Sequence, residues 1–151
     1  MVTGQQIDEK IASLEKVVEA GLDYFGGEGA TSEARIDLWT PRDVLCHMVY
    51  WHQATVEGME SVASGGEPHK IYASTDEMNA RAVGRAAGKN VPQLVDEVKE
   101  LQARLSASAR KLEDPSAVVL IRGNGDGLSA VQRLEGIASH WNGHLKELGA
   151  I

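Results

Sequence analysis

The sequence predicts an all-α protein, a four-helix bundle with one extra short helix. Apolar residues recur at three- and four-residue intervals along four long segments, the period of one helix face. Turn-forming punctuation separates the segments at GGEGATSEA (26–34), SGGEPHK (64–70), GKNVP (88–92) and RGNGDG (122–127). Only Val118–Ile121 has strand composition. It is too short and isolated to build a sheet, so an extended stretch packed on the bundle is expected there.

Each helix has its own signals. The first spans about Thr3 to Phe25, with Ile7, Ile11, Leu14, Val18, Leu22 and Phe25 in phase. Thr3 and Gln6 form a capping-box pattern, and Gly26-Gly27 ends the helix. The second opens at Thr40-Pro41-Arg42-Asp43, where Thr caps, Pro suits the first helical position and Asp favours the positive helix end. Its stripe is Val44, Met48, Trp51, Thr55 and Met59, and it ends at Gly65-Gly66. The short helix starts at Ser74-Thr-Asp-Glu77, a second capping-box pattern, and fades by Gly88. The fourth segment is capped by Asn90 with Gln93 three residues on; Leu94, Val98, Leu101, Leu105, Ala109 and Leu112 mark its core side. The fifth runs from near Ser129 to Leu148, with Val131, Leu134, Ile137 or Ala138, Trp141, Leu145 and Leu148 facing inward. The linkers are long enough for crossover connections, so the topology need not be up-down.

Bulk properties narrow the function. A chain of 151 residues, 42% apolar, is expected to form a single domain over 1–151 with a real core. A net charge of −7 argues against nucleic acid as a partner. The single Cys46 excludes an internal disulfide and suits a reducing compartment. No apolar run is long enough to span a bilayer, and MVTGQQIDEK lacks a signal-peptide pattern. The expectation is a cytoplasmic protein with no membrane partner, acting on a small molecule.

The chemistry-bearing residues are histidines. In HWNGH, His140 and His144 stand four residues apart, so on a helix they share a face, at the edge of the core stripe. His47 follows Val44 by three on the second helix and also faces inward. Buried imidazoles need partners, because an unpaired polar group in a core costs a few kcal/mol. Two arrangements satisfy them: separate hydrogen bonds to neighbours or water, or a shared metal ion of the tri-histidine type used for catalytic zinc. Spacing alone leaves both open.

The stretch LWTPRDVLCHMVYWH and the later GIASHWNGHLKEL together resemble the DinB-like superfamily, which includes mycothiol-dependent maleylpyruvate isomerases and bacillithiol transferases. The tryptophan, the helix cap, Asp-Val-Leu-x-His and the terminal His-x-x-x-His all match, and STDEMNARAVGRA resembles relatives of the isomerases. The resemblance covers nearly the whole chain. It implies a DinB-like four-helix bundle, homodimeric, with zinc or nickel held by His47, His140 and His144. It also implies a low-molecular-weight thiol activated by the ion, since a divalent cation favours the thiolate, which is the nucleophile. The isomerases carry an additional C-terminal domain that helps form the active site, and this sequence stops at Ile151, so the resemblance leaves that specific activity open.

Other residues take supporting places in this reading. Asp43, one turn before His47, is a helix-start residue or a carboxylate orienting that imidazole. Trp51 and Trp141 are core aromatics or walls of the metal cavity. Arg81 and Arg122 are the candidates for holding an anionic substrate. Cys46 reads as a small buried hydrophobe. His52 reads as exposed or hydrogen-bonded, a reserve ligand at most, and His69 as a solvated loop residue. RGNGDG fits neither a calcium loop nor a phosphate loop and reads as a turn at the cavity mouth. The expected function is a metal-dependent enzyme that activates a thiol or water against an electrophilic small molecule. A hydrolase on the same three histidines and a non-enzymatic small-molecule or metal-binding dimer are the alternatives.

Overall fold

The computed structural model describes residues 3–30, 36 and 39–150. Part of the GGEGATSEA punctuation, Leu38 of the LWTP motif and the terminal Ile151 lie outside the described residues. Helices α1 (Gly4–Gly26), α2 (Pro41–Ala63), α4 (Val91–Lys111) and α5 (Ala130–Glu147) form the bundle, with the short α3 (Thr75–Arg85) beside it. A 3-10 turn, Glu28–Ala30, follows α1.

The helix starts follow the sequence signals. Thr3/Gln6, Thr40/Asp43 and Asn90/Gln93 each form reciprocal capping boxes. Ser129 and Gln132 form another at the start of α5, which the sequence reading had not singled out. The expected box at Ser74 is only half made. The Ser74 hydroxyl accepts the Glu77 N–H at 3.2 Å, but the Glu77 carboxylate turns to Arg81 one helical turn on. An exposed carboxylate has a guanidinium within reach there, and it takes the cation over the amide.

Around the bundle, α2 packs on α4, α4 on α1, α1 on α5 and α5 back on α2. The consecutive helices α1 and α2 are therefore diagonal, and the topology is not up-down. This order makes the site possible, because it sets α2 beside α5. The core includes Ile11, Leu14, Leu45, Met48, Leu94 and Leu105, all fully buried. Each such side chain contributes about 1.5–3 kcal/mol. Trp141 of α5 lies across Gly21 of α1, where a Cβ would collide with the indole.

The expectation for Val118–Ile121 needs correction. This strand, β2, is not isolated. It pairs in parallel with β1 (His69–Lys70) and antiparallel with β3 (Gly127–Ser129), giving a three-stranded sheet in the order β1-β2-β3. Sequence distance hid the pairing: β1 is two residues long and lies beyond α3 and α4 from its partner. His69 is accordingly a strand residue, partly exposed, with Nδ1 3.3 Å from a Glu57 carboxylate oxygen. The sheet rests on α2 at Gly58, whose missing side chain admits the Val119 carbonyl. A second, smaller core of Trp51, Ala54, Ile71, Met78 and Leu120 fills the space between α2, α3 and the sheet. RGNGDG is the β2–β3 turn, closed by Arg122 N–H donating to the Asp126 carbonyl at 2.8 Å, with Gly125 at φ +94°.

Candidate metal centre

His47 is held on α2, nearly two turns after the helix start, and is 3% exposed. Its ring stands edge-on to Trp39, with centroids 4.3 Å apart. Its Nε2 is buried and makes no hydrogen bond. Asp43 does not bond this ring. Its carboxylate accepts the Thr40 backbone N–H at 3.0 Å and completes the α2 cap, while its charge acts on His47 from a distance.

On α5, His140 and His144 meet directly. Their Nε2 atoms are 2.6 Å apart and their ring centroids 4.3 Å apart. The His144 Nδ1 is buried without a hydrogen-bond partner, and the Glu147 carboxylate at 3.8 Å is out of bonding reach. Both rings are partly buried.

The electrostatics of the three rings are linked. Burial, then the nearby His144 imidazole, lowers the pKa of His47 to about 4, against a smaller opposing pull from Asp43. Burial, then His144, His47 and Arg133, lowers His140 to about 4. Burial lowers His144 as well, opposed by Glu147. All three are therefore neutral at pH 7, the form in which an imidazole can ligate a cation.

As the rings stand, no three His, Cys, Asp or Glu side chains among the described residues are gathered around one ion position. Two nitrogens on one tetrahedral zinc, each bonded at ~2.0–2.1 Å, lie roughly 3.3 Å apart. At 2.6 Å the Nε2 atoms are at hydrogen-bond distance, closed on a shared proton. The two spacings differ by under about 1 Å. The donor set fits a divalent cation: three neutral imidazoles, with the Nε2 of His47 and the Nδ1 of His144 buried and unpartnered.

His140 also lines a cavity of about 190 Å³ with Trp51, Leu120, Leu128, Arg122 and Arg133. An adjoining cavity of about 220 Å³ shares Trp51, Thr75 and Arg122 with it and is walled by the β2–β3 turn. A larger depression of about 550 Å³ lies between α1 and α5, but no imidazole lines it and the Lys10–Glu135 ion pair at its edge is substantially exposed.

The sequence candidates divide on this map. Trp51 lines both cavities, with its Nε1–H donating to Asn79 Oδ1 at 2.8 Å. Trp141 lines neither; it is fully buried and packs against Phe25. Arg122 is at the cavity. Arg81 is on the exposed side of α3, engaged by Glu77 at 3.1 Å and by the Tyr72 hydroxyl at 3.4 Å. Cys46 is buried, and that burial raises its thiol pKa, which suits a packing residue and not a nucleophile. His52, read as exposed or hydrogen-bonded, is fully buried and hydrogen-bonded to Trp141. Two neighbours of the site have no assigned place in the sequence reading, although one of them, Trp39, is the tryptophan of the LWTP motif. Trp39 precedes α2 and walls His47. Arg133 lies two turns before His140 on the same face of α5, a spacing that was legible.

The fold has counterparts among known proteins. Crystal structures of the mycothiol-dependent maleylpyruvate isomerase, and of a histidine-to-alanine mutant of it, superimpose with a TM-score of 0.77 at 18% and 17% identity. Each match covers 100% of this chain and 65% of the isomerase chain, so this chain spans about two thirds of that protein's length. No curated protein matches the sequence. Residues 11–148 match the DinB superfamily, and on that extent the chain belongs to the DinB superfamily.

Proposed function

We propose that the protein is a metal-dependent enzyme in which His47, His140 and His144 hold a divalent cation, zinc or nickel, that activates a low-molecular-weight thiol against an electrophilic small molecule. One observation carries the metal: two neighbouring imidazoles share one close contact while a third, electrostatically linked to them, has its Nε2 buried and unpartnered. Imidazole nitrogen suits both ions. The likeness in fold to a mycothiol-dependent isomerase supports the thiol.

The protein's own groups have separable tasks. Burial keeps the three imidazoles neutral and so ready to donate lone pairs at pH 7. Trp39 fixes the His47 ring from its edge. Trp51, Leu120 and Leu128 give the 190 Å³ cavity beside His140 an apolar wall. The cation, when bound, would lower the pKa of a coordinated thiol so that the thiolate is present at neutral pH.

The test is turnover of the zinc- or nickel-loaded protein with simple thiols and reactive electrophiles. Thiol consumption that depends on metal, and that disappears in His144→Ala, is the expected result. Turnover of an electrophile by water, with no thiol consumed, would replace the proposal with the hydrolase. Metal binding with no turnover of either kind would leave a binding protein.

A further inference from the structure

Arg133 is the most unusual charged group in the molecule. Its side chain is only partly exposed and sits on α5 above the small core, with its guanidinium carbon 5.9 Å from the Trp51 ring centroid. Its Nε donates to the hydroxyl of Thr55, which is itself fully buried, at 3.1 Å. That bond uses one of five N–H donors. Among the described residues its terminal nitrogens find no hydrogen-bond partner and no carboxylate lies within salt-bridge distance. The other arginines with partners lie on the surface: Arg81, Arg104 and Arg110 each reach an exposed carboxylate, Arg42 spends its terminal nitrogen on the Ala86 and Lys89 carbonyls, and Arg85 reaches the Tyr72 hydroxyl.

The surroundings sharpen the contrast. The 190 Å³ cavity that Arg133 lines has a second cation, Arg122, and no acidic residue in its wall. This occurs in a chain of net charge −7. Two guanidiniums gathered at one hollow repel each other, and a partly desolvated one without a counter-ion is costly. Burial and the charge of Arg122 together lower the Arg133 pKa to about 10, so it stays charged at neutral pH. Folding has kept a cation where no carboxylate among the described residues compensates it, beside an open cavity.

We propose that Arg133, assisted by Arg122, forms a carboxylate-binding subsite that anchors a small organic acid with its body against Trp51, Leu120 and Leu128. The planar fork of a guanidinium held at Nε presents its terminal N–H groups in the geometry a carboxylate accepts. Anchoring at Arg133 points the far side of the molecule toward His140, which lines the same cavity. The substrate class follows, resting on the metal-centre reading above: an electrophilic carboxylic acid, bound by its carboxylate at one end and attacked at the other.

Benzoate is a suitable probe, because it joins a carboxylate to a flat apolar body and needs no catalytic turnover. Calorimetric titration of benzoate would be run on the metal-loaded protein, on His144→Ala, and on Arg133→Gln, Arg133→Lys, Arg122→Gln and Arg81→Gln. Expected is binding to the parent and to His144→Ala alike, weakened at least tenfold by Arg133→Gln, less by Arg133→Lys and Arg122→Gln, and untouched by Arg81→Gln. Should Arg133→Gln fail to fold, a loss in Arg122→Gln with none in Arg81→Gln supports the same subsite. Binding indifferent to both cavity arginines overturns the proposal, as does absence of binding in a protein that holds its metal. Arginine-dependent binding in a protein that takes up no metal would keep the subsite and remove the metal centre, so the two readings fail separately.

Discussion

The Trp141 indole N–H donates to Nε2 of His52 at 2.8 Å, inside the bundle core. An indole nitrogen only donates, so the His52 Nε2 must present its lone pair and the ring proton sits on Nδ1. Both nitrogens of His52 are thereby spoken for: one accepts, the other carries a proton and is buried without a partner. A ring in this state cannot ligate through either atom without breaking the core bond. The fourth histidine near the site is structural, which separates it from the three proposed to bind metal.

His52→Ala should therefore retain full metal stoichiometry while losing stability. It leaves the Trp141 N–H unpaired and opens a void, an expected loss of about 2–4 kcal/mol by denaturant unfolding. Metal loss in this variant with the fold intact would place His52 among the ligands.

Acid should destabilise the metal-free protein over a defined window. His47 and His140 are lowered to about 4 and His52 to about 3, from an ordinary 6.5, so between those values the unfolded chain binds protons that the folded chain does not. Stability is fully present above pH 6.5 and is lost as pH falls toward 4, by linkage. Thermal melts at pH 7.5, 6, 5 and 4 should show a monotonic fall in Tm, and a flat profile would contradict neutral burial.

Asp43→Ala tests whether that carboxylate serves the helix or the ion. Its observed bond is to the Thr40 N–H, so the loss of one half of a capping box should cost about 1 kcal/mol, or roughly 2–4 °C in Tm. Metal affinity measured by competition with a chromophoric chelator should change little. A drop beyond about tenfold would assign Asp43 to orienting His47.

Gly58→Ala should separate the sheet from α2, since the added methyl meets the Val119 carbonyl. A destabilisation of about 1–3 kcal/mol is expected, together with a change in Trp51 fluorescence because that ring borders the same small core. An unperturbed variant would show that the sheet is not seated on α2.

The helices were legible because their information is local. A cap three residues from its partner and an apolar stripe every third or fourth residue can be read without knowing the fold, and Thr40, Asn90 and the stripe of α4 were found that way. The sheet was not, because His69–Lys70 carries no strand signal and owes its conformation to a partner some fifty residues on. For the site, the His140/His144 contact follows from their one-turn spacing, whereas the electrostatic link of His47 to His144 depends on α2 lying beside α5, which no local signal encodes. Arg133 was passed over for Arg81 because composition cannot tell which arginine finds a carboxylate. Only the fold shows Glu77 beside Arg81 and, among the described residues, no carboxylate beside Arg133.

The most direct test is elemental analysis of the purified protein after metal loading and removal of excess ion, beside His47→Ala, His140→Ala, His144→Ala and His52→Ala, each checked for folding. The three-imidazole centre predicts about one equivalent of zinc or nickel in the parent and in His52→Ala, and its loss in each of the other three. Failure of the folded parent to take up metal, or retention of a full equivalent by a folded His47→Ala or His144→Ala, would contradict it.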